Sequence, residues 1–171
     1  METSEGYPVR LNIDYPAILN KLSTFFRIFY AIPILIILSL LSGYLFPAVL
    51  LMILFRQKYP RWWFEWNLAY CRFSMRVNSY LLLLRDEYPS TDEDQAVHLE
   101  IDYPDVKKDL QRGMPLVKWF LAIPHYIILA FLYIAVIVCS IIAWFSILFT
   151  GKYPKSVFEF VVGVLRWGLR V

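Results

Sequence analysis

Two long stretches without a charged side chain dominate the pattern of hydrophobic and polar positions. Residues 28–55 form a run of 28, and residues 119–149 form a run of 31. A run of about 18 or more such residues is a candidate membrane segment. A helix hydrophobic on every side has no room to be buried in a chain of 171 residues. Each run is followed by a stretch of different character, 61–77 and 155–171. At 100° per residue, Arg61, Glu65, Arg72 and Arg76 fall within about 60° of one another, and Lys155, Glu159, Arg166 and Arg170 repeat that stripe. The other positions are largely apolar, with Trp62, Trp63, Trp66, Tyr70 and Phe73 in the first and Phe158, Phe160 and Trp167 in the second. Both stretches predict amphipathic helices lying in a membrane interface. Ahead of each run, 9–14 and 97–102 predict strands, and 17–27 and 105–118 predict short polar helices.

The order repeats because one unit is written twice. Leu11-Asn-Ile-Asp-Tyr-Pro16 returns as Leu99-Glu-Ile-Asp-Tyr-Pro104, and Ala31-Ile-Pro33 as Ala122-Ile-Pro124. Ile53-Leu-Phe-Arg-Gln-Lys-Tyr-Pro60 returns as Ile147-Leu-Phe-Thr-Gly-Lys-Tyr-Pro154, and the stretches after it align without a gap. The offset grows from 88 to 91 to 94, so two small insertions separate the copies. The first unit is residues 1–77 and the second 97–171. Residues 78–96 link them, with a possible strand at 80–84 that would join the other two in a small sheet, and an acidic, turn-rich loop at 86–95. The second unit stops at Val171, where the first continues into Asn78-Ser-Tyr-Leu81. A truncated chain and a missing element both remain open. Six prolines follow a tyrosine, at positions 8, 16, 60, 89, 104 and 154. Proline pushes its predecessor to extended geometry and suits the start of a helix, so Tyr-Pro predicts corners into helices. Tyrosine favours the membrane surface as well.

Charge placement bears on how the runs meet a membrane. A single helix of 28–31 residues would be about 42–46 Å long, against a hydrocarbon core of about 30 Å. Basic residues flank both ends of both runs: Lys21 and Arg27, then Arg56, Lys58 and Arg61; Lys107, Lys108, Arg112 and Lys118, then Lys152 and Lys155. Flanks rich in Lys and Arg favour the cytoplasm, which favours a helical hairpin in each unit over a long kinked span. Ser42-Gly-Tyr-Leu-Phe-Pro47 offers a turn in the first run; only Ser140 interrupts the second near its centre.

Composition agrees: 59% of residues are hydrophobic, against about 45–50% in soluble domains. No secretory signal pattern opens the chain, so the N-terminus is expected in the cytoplasm. Cys71 and Cys139 have no metal or redox spacing. His125 sits near the start of the second run, where the first has Ile34, and lacks a second ligand. His98 likewise has no ligand-like spacing. Asp14 and Asp102 resemble helix caps rather than paired catalytic carboxylates, because no nucleophile–base arrangement accompanies them. No glycine-rich phosphate loop is present, and the basic residues alternate with aromatics in a way that suits lipid better than nucleic acid. No metal, cofactor or enzymatic activity is expected. The candidate site is a binding surface for anionic lipid head groups at Arg61, Arg72, Arg76, Lys155, Arg166 and Arg170, anchored by Trp62, Trp63, Trp66 and Trp167. The competing reading is that Arg61–Glu65 and Lys155–Glu159 are ordinary i,i+4 salt bridges and the arginines anchor their helices.

Ala-Ile-Pro-His at 122–125, Ala-Trp-Phe-Ser-Ile-Leu-Phe-Thr-Gly-Lys-Tyr-Pro at 143–154 and Phe-Glu-Phe-Val-Val-Gly-Val-Leu-Arg-Trp at 158–167 resemble a bacterial membrane family, the domain of unknown function DUF4389, which often carries this unit in tandem. The first copy departs from the pattern: Arg56-Gln57 stands for Thr-Gly, and Ile34 for the histidine. The resemblance implies a bacterial inner-membrane location and brings no established activity. The expected fold is a mainly α membrane protein of two homologous repeats, each a hairpin or long span plus an interfacial helix, with a small β element at the cytoplasmic face. The expected role is a non-catalytic scaffold or accessory subunit whose partners are membrane lipids and other membrane proteins, or further copies of itself. A small transporter or channel-like oligomer is the alternative, since paired repeats are common in carriers.

Overall fold

The computed structural model describes residues 8–42, 60–91, 93–103 and 114–171. In chain order its elements are β1 (Val9–Ile13), α1 (Lys21–Ser42), α2 (Arg61–Leu81), β2 (Val97–Ile101), α3 (Met114–Thr150) and α4 (Lys155–Arg170).

The strands of the two units pair antiparallel, and Leu11 lies opposite Leu99, its own counterpart in the repeat. The ladder continues symmetrically at both ends. The Asp14 N–H donates to the Ala96 carbonyl at 3.1 Å and the Asp102 N–H to the Pro8 carbonyl at 2.9 Å. A pseudo-twofold axis therefore passes between Leu11 and Leu99. Paired side chains of an antiparallel ladder share a face, so this axis runs perpendicular to the ribbon. One face carries Val9, Leu11, Ile13, Val97, Leu99 and Ile101, packed into the core. The other carries Arg10, Asn12, His98 and Glu100, all exposed.

The amphipathic helices cross over to the partner unit. Arg72 Nε on α2 donates to the Leu99 carbonyl at 2.9 Å, and Arg166 Nε on α4 donates to the Leu11 carbonyl at 2.8 Å. At non-hydrogen-bonded ladder positions such carbonyls point off the ribbon's edge, so each arginine covers an edge that would otherwise remain open to another strand. The rings at the strand ends repeat the exchange. Tyr15 meets Phe158 edge-on at 5.0 Å, and Tyr103 meets Phe64 edge-on at 5.0 Å. The row α4–β1–β2–α2 thus interlocks the units.

Beneath it lie α1 and α3, running antiparallel. The Leu19 N–H donates to the Gly151 carbonyl at 2.9 Å, and Phe25 stacks on Trp144. Only a narrow line of α3 turns inward: Ala122, Leu129, Val136 and Ala143, seven residues apart, then Ile147. A seven-residue step returns to nearly the same side of a helix, which leaves the rest of the surface outside. Ile34 of α1 closes a second small cluster with Phe73 and Val77 of α2.

Several expectations change. The second apolar run lies within one continuous helix of 37 residues, a single long helix and not the hairpin. Its interior proline, Pro124, removes one ladder bond without ending the helix, and Ser140 bonds back to the Val136 carbonyl and leaves the ladder intact. In the first run α1 ends at Ser42, and the expected turn at 43–47 lies outside the described residues. The separate polar helix at 17–27 is absent: α1 starts at Lys21 and continues into the apolar run. Most of its counterpart at 105–118 lies outside the described residues. Residues 80–84 are not a strand. Helix α2 continues to Leu81 because Tyr80 and Leu84 are buried against the core rather than presented to a ladder.

Candidate membrane interface

Both amphipathic helices begin immediately after a Tyr-Pro pair. Pro60 and Pro154 occupy the N-cap positions in extended geometry, and the Pro60 carbonyl accepts from Phe64 N–H and the Pro154 carbonyl from Phe158 N–H. At the start of each helix the charged stripe closes on itself. Arg61 faces Glu65 at 3.5 Å and Lys155 faces Glu159 at 4.0 Å. These pairs are solvent-exposed and worth about 0.3–0.5 kcal/mol at most. Further along, Arg72 and Arg166 hold the ribbon edges as described. Arg76 donates to the Ser90 carbonyl at 2.7 Å, which ties α2 to the linker. Arg170 stands exposed in the last turn of α4. The stripe therefore comprises an exposed pair at each helix start, Arg72, Arg76 and Arg166 bound to main-chain carbonyls, and the exposed Arg170.

The tryptophans are placed differently from one another. Trp62 and Trp66 are exposed and Trp63 is half-buried between them. Trp63 stacks on Trp66 at 5.4 Å, and Trp66 on Tyr70 at 6.4 Å. Trp167 is exposed on α4. A larger apolar surface is supplied by α1 and α3, with Phe29, Leu40, Phe120, Phe131, Ile137 and Phe149 among its exposed side chains. Both helices are long and apolar enough to cross a membrane, and only 22% and 17% of their most apolar stretches are buried within the molecule.

Two cations that sequence reasoning treated as flanking charges turn out to cap helices. Lys21 Nζ donates to the Phe149 carbonyl at 3.1 Å, at the C-terminal end of α3. Arg27 is buried and donates to the Tyr80 carbonyl at 2.9 Å and the Arg85 carbonyl at 3.0 Å, pairs with Asp86, and lies over the Tyr80 ring. Neither α2 nor α3 has a basic residue in its last turn, and a cation there is stabilising. That lack is the one signal from which the capping role was readable. The linker closes around the same place. Partial burial opposes ionisation of Glu87, but a bond from Arg85, the Ala96 N–H and the charges of Arg85 and Arg76 outweigh it and hold its carboxyl below the ordinary value. Burial pushes the Tyr153 hydroxyl up, and that hydroxyl donates to the Leu82 carbonyl at 3.4 Å. Burial likewise raises the Cys71 thiol.

Asp14, read as a cap, does not cap α1, and the start of the helix expected after Asp102 lies outside the described residues. Asn20 Oδ1 accepts from Leu22 N–H at 3.0 Å and so caps α1, because residues 16–20, with a proline among them, separate the helix from Tyr15. Asp14 instead faces His98 at 3.7 Å, and Asp102 faces Arg10 at 3.0 Å. Arg10 and His98 are repeat counterparts, as are the two acids, so these are one contact made twice. His125 is exposed on α3. Among the described residues no three His, Cys, Asp or Glu side chains are grouped to hold a metal ion.

The model of the domain of unknown function DUF4389 matches residues 21–91 and 114–171, two segments that together cover most of the chain. The chain belongs to the DUF4389 family. The split match agrees with the two units seen in this DUF4389 member. No curated protein and no solved structure matches it.

Proposed function

We propose that this DUF4389 member is a non-catalytic integral membrane scaffold or accessory subunit of the bacterial inner membrane, with its N-terminal segment on the cytoplasmic side and anionic lipid bound at the interface. One observation carries the reading. The exposed surface of α1 and α3 is almost wholly apolar, and a contiguous apolar patch beyond a few hundred Å² marks a surface meant for lipid or protein. Head-group binding rests on Arg61, Lys155 and Arg170, which stand exposed on helices that also carry Trp62, Trp66 and Trp167. Arg72, Arg76 and Arg166 serve it secondarily, since each already holds a main-chain carbonyl.

The transporter reading has one supporting feature, the pseudo-twofold pairing of repeats found in carriers. Against it, residues 120–150 contain no Asp, Glu, Lys or Arg to line an ion path. Gentle extraction of the native protein, with identification of every co-purifying protein and lipid, tests the scaffold. A stoichiometric protein partner with anionic lipid supports it. A homo-oligomer holding lipid alone and passing solute in vesicles favours transport, and recovery in the soluble fraction removes both.

A further inference from the structure

Given that membrane reading, we infer that α1 and α3 do not cross the bilayer but lie in the plane of one leaflet, with the pseudo-twofold axis along the membrane normal and the charged face of the ribbon in water. The occupant of the exposed apolar face is thus the acyl layer of a single leaflet.

The geometry requires a choice of this kind. Helices α1 and α3 run antiparallel, with Lys21 beside Phe149 and Phe25 beside Trp144. An axis that relates antiparallel helices is perpendicular to both. The ribbon centre lies on that axis, and it lies level with the middle of α3. Arg166 bonds Leu11 at the centre of the ribbon, and two residues further on Gly168 abuts Tyr133 and Leu129, near the midpoint of Met114–Thr150. If α3 crossed the membrane, Arg10, Asn12, His98 and Glu100 would sit at the depth of the bilayer centre while exposed. Charged side chains at that depth are strongly disfavoured unless they face protein or a water-filled cavity, and these face outward. Placing the helices in the plane moves the same residues into water and leaves the apolar layer on the opposite side.

Three further features agree. Helix α3 has 37 residues, about 55 Å against a hydrocarbon core of about 30 Å. A span would require steep tilt, whereas an in-plane helix of about 10–12 Å diameter fits within one leaflet. Basic residues flank both ends of both apolar runs; an in-plane helix keeps every flank on one side with no hairpin turn. The interfacial tryptophans Trp62, Trp66 and Trp167 belong to α2 and α4, which flank the ribbon edges between the apolar layer and its polar face.

Two measurements decide it. In a chain carrying Cys71→Ser and Cys139→Ser, single cysteines are introduced as Arg112→Cys, Lys152→Cys and Asn12→Cys, and a membrane-impermeant maleimide is applied to intact cells and to inverted vesicles. All three are expected to react from the same, cytoplasmic side. Reaction of Arg112→Cys and Lys152→Cys from opposite sides, or of Asn12→Cys only after detergent, overturns the inference and leaves the membrane reading in place. Recovery of the unsubstituted chain in the soluble fraction would instead remove the membrane reading itself. Polarised infrared spectroscopy of the unsubstituted protein in oriented bilayers needs no variant to fold. Amide dichroism of helices lying in the plane is expected, and dichroism of helices along the normal overturns the proposal.

Discussion

Gly151 ends α3 at φ +73°, a left-handed position that costs a residue with a Cβ about 1–2 kcal/mol. Gly163 sits within α4 with nothing within 4 Å of an added Cβ. Gly151→Ala is therefore expected to lower thermal stability in detergent by about 1–2 kcal/mol, and Gly163→Ala to raise it by about 0.5–1 kcal/mol. Equal effects would contradict the assigned backbone. Arg27 is the most deeply buried charge among the described residues. Arg27→Gln leaves Asp86, the helix-end Tyr80 carbonyl and the Arg85 carbonyl of the linker without their cation, and a loss of about 3 kcal/mol or more is expected from the same melts. A third expectation concerns pH. Glu87 is held below its ordinary value, so its contribution is complete above the ordinary carboxyl range and is lost as pH falls through its lowered value. Hydrogen-exchange protection of the 85–96 loop, relative to the intrinsic rate at each pH, should fall over that acid window, and Glu87→Gln should abolish the change. At this scale the sequence was only partly legible. Lys21 and Arg27 were visible as charges beside an apolar run, but the carbonyls they cap belong to helices 50 or more residues away in the chain.

Among the elements, periodicity identified most of what packs. The stripe from Arg61 to Arg76 lies on α2, and the strands expected at 9–14 and 97–102 correspond to β1 and β2. The strand expected at 80–84 failed because a run of leucines has no period of its own. These residues turn α2 off instead: the Leu84 N–H donates to the Ser79 carbonyl and the Leu83 N–H to the Tyr80 carbonyl, with Leu83 at φ +64°. This is the helix-ending motif in which glycine is usual. The hairpin expectation for the second run assumed that basic flanks on one side require the chain to turn back, and an in-plane helix removes that assumption. The inner arginines looked like lipid ligands because a helix wheel cannot show a strand of the other unit. Arg72→Gln and Arg166→Gln should each destabilise by about 1 kcal/mol in detergent melts. The two effects should match, since the residues make equivalent bonds; a silent partner would show that the crossing is not symmetric.

For the molecule as a whole, the repeat was legible at once, but not the way its halves meet. Each unit supplies the helix that closes the other's strand, so neither completes its own ribbon. That exchange sets α1 and α3, with their broad apolar exposure, against the buried face of the ribbon and leaves Arg10, Asn12, His98 and Glu100 on its opposite face. The pairing of Val9 with Ile101 tests the exchange most directly. Non-hydrogen-bonded partners stand about 4.5 Å apart at Cα, within disulfide range. In the chain carrying Cys71→Ser and Cys139→Ser, Val9→Cys with Ile101→Cys should oxidise within single molecules in native membranes, leaving the two halves joined after proteolysis of the 86–95 loop until reductant is added. Halves that separate without reductant, or bonds that form only between molecules, would contradict the interlocked fold.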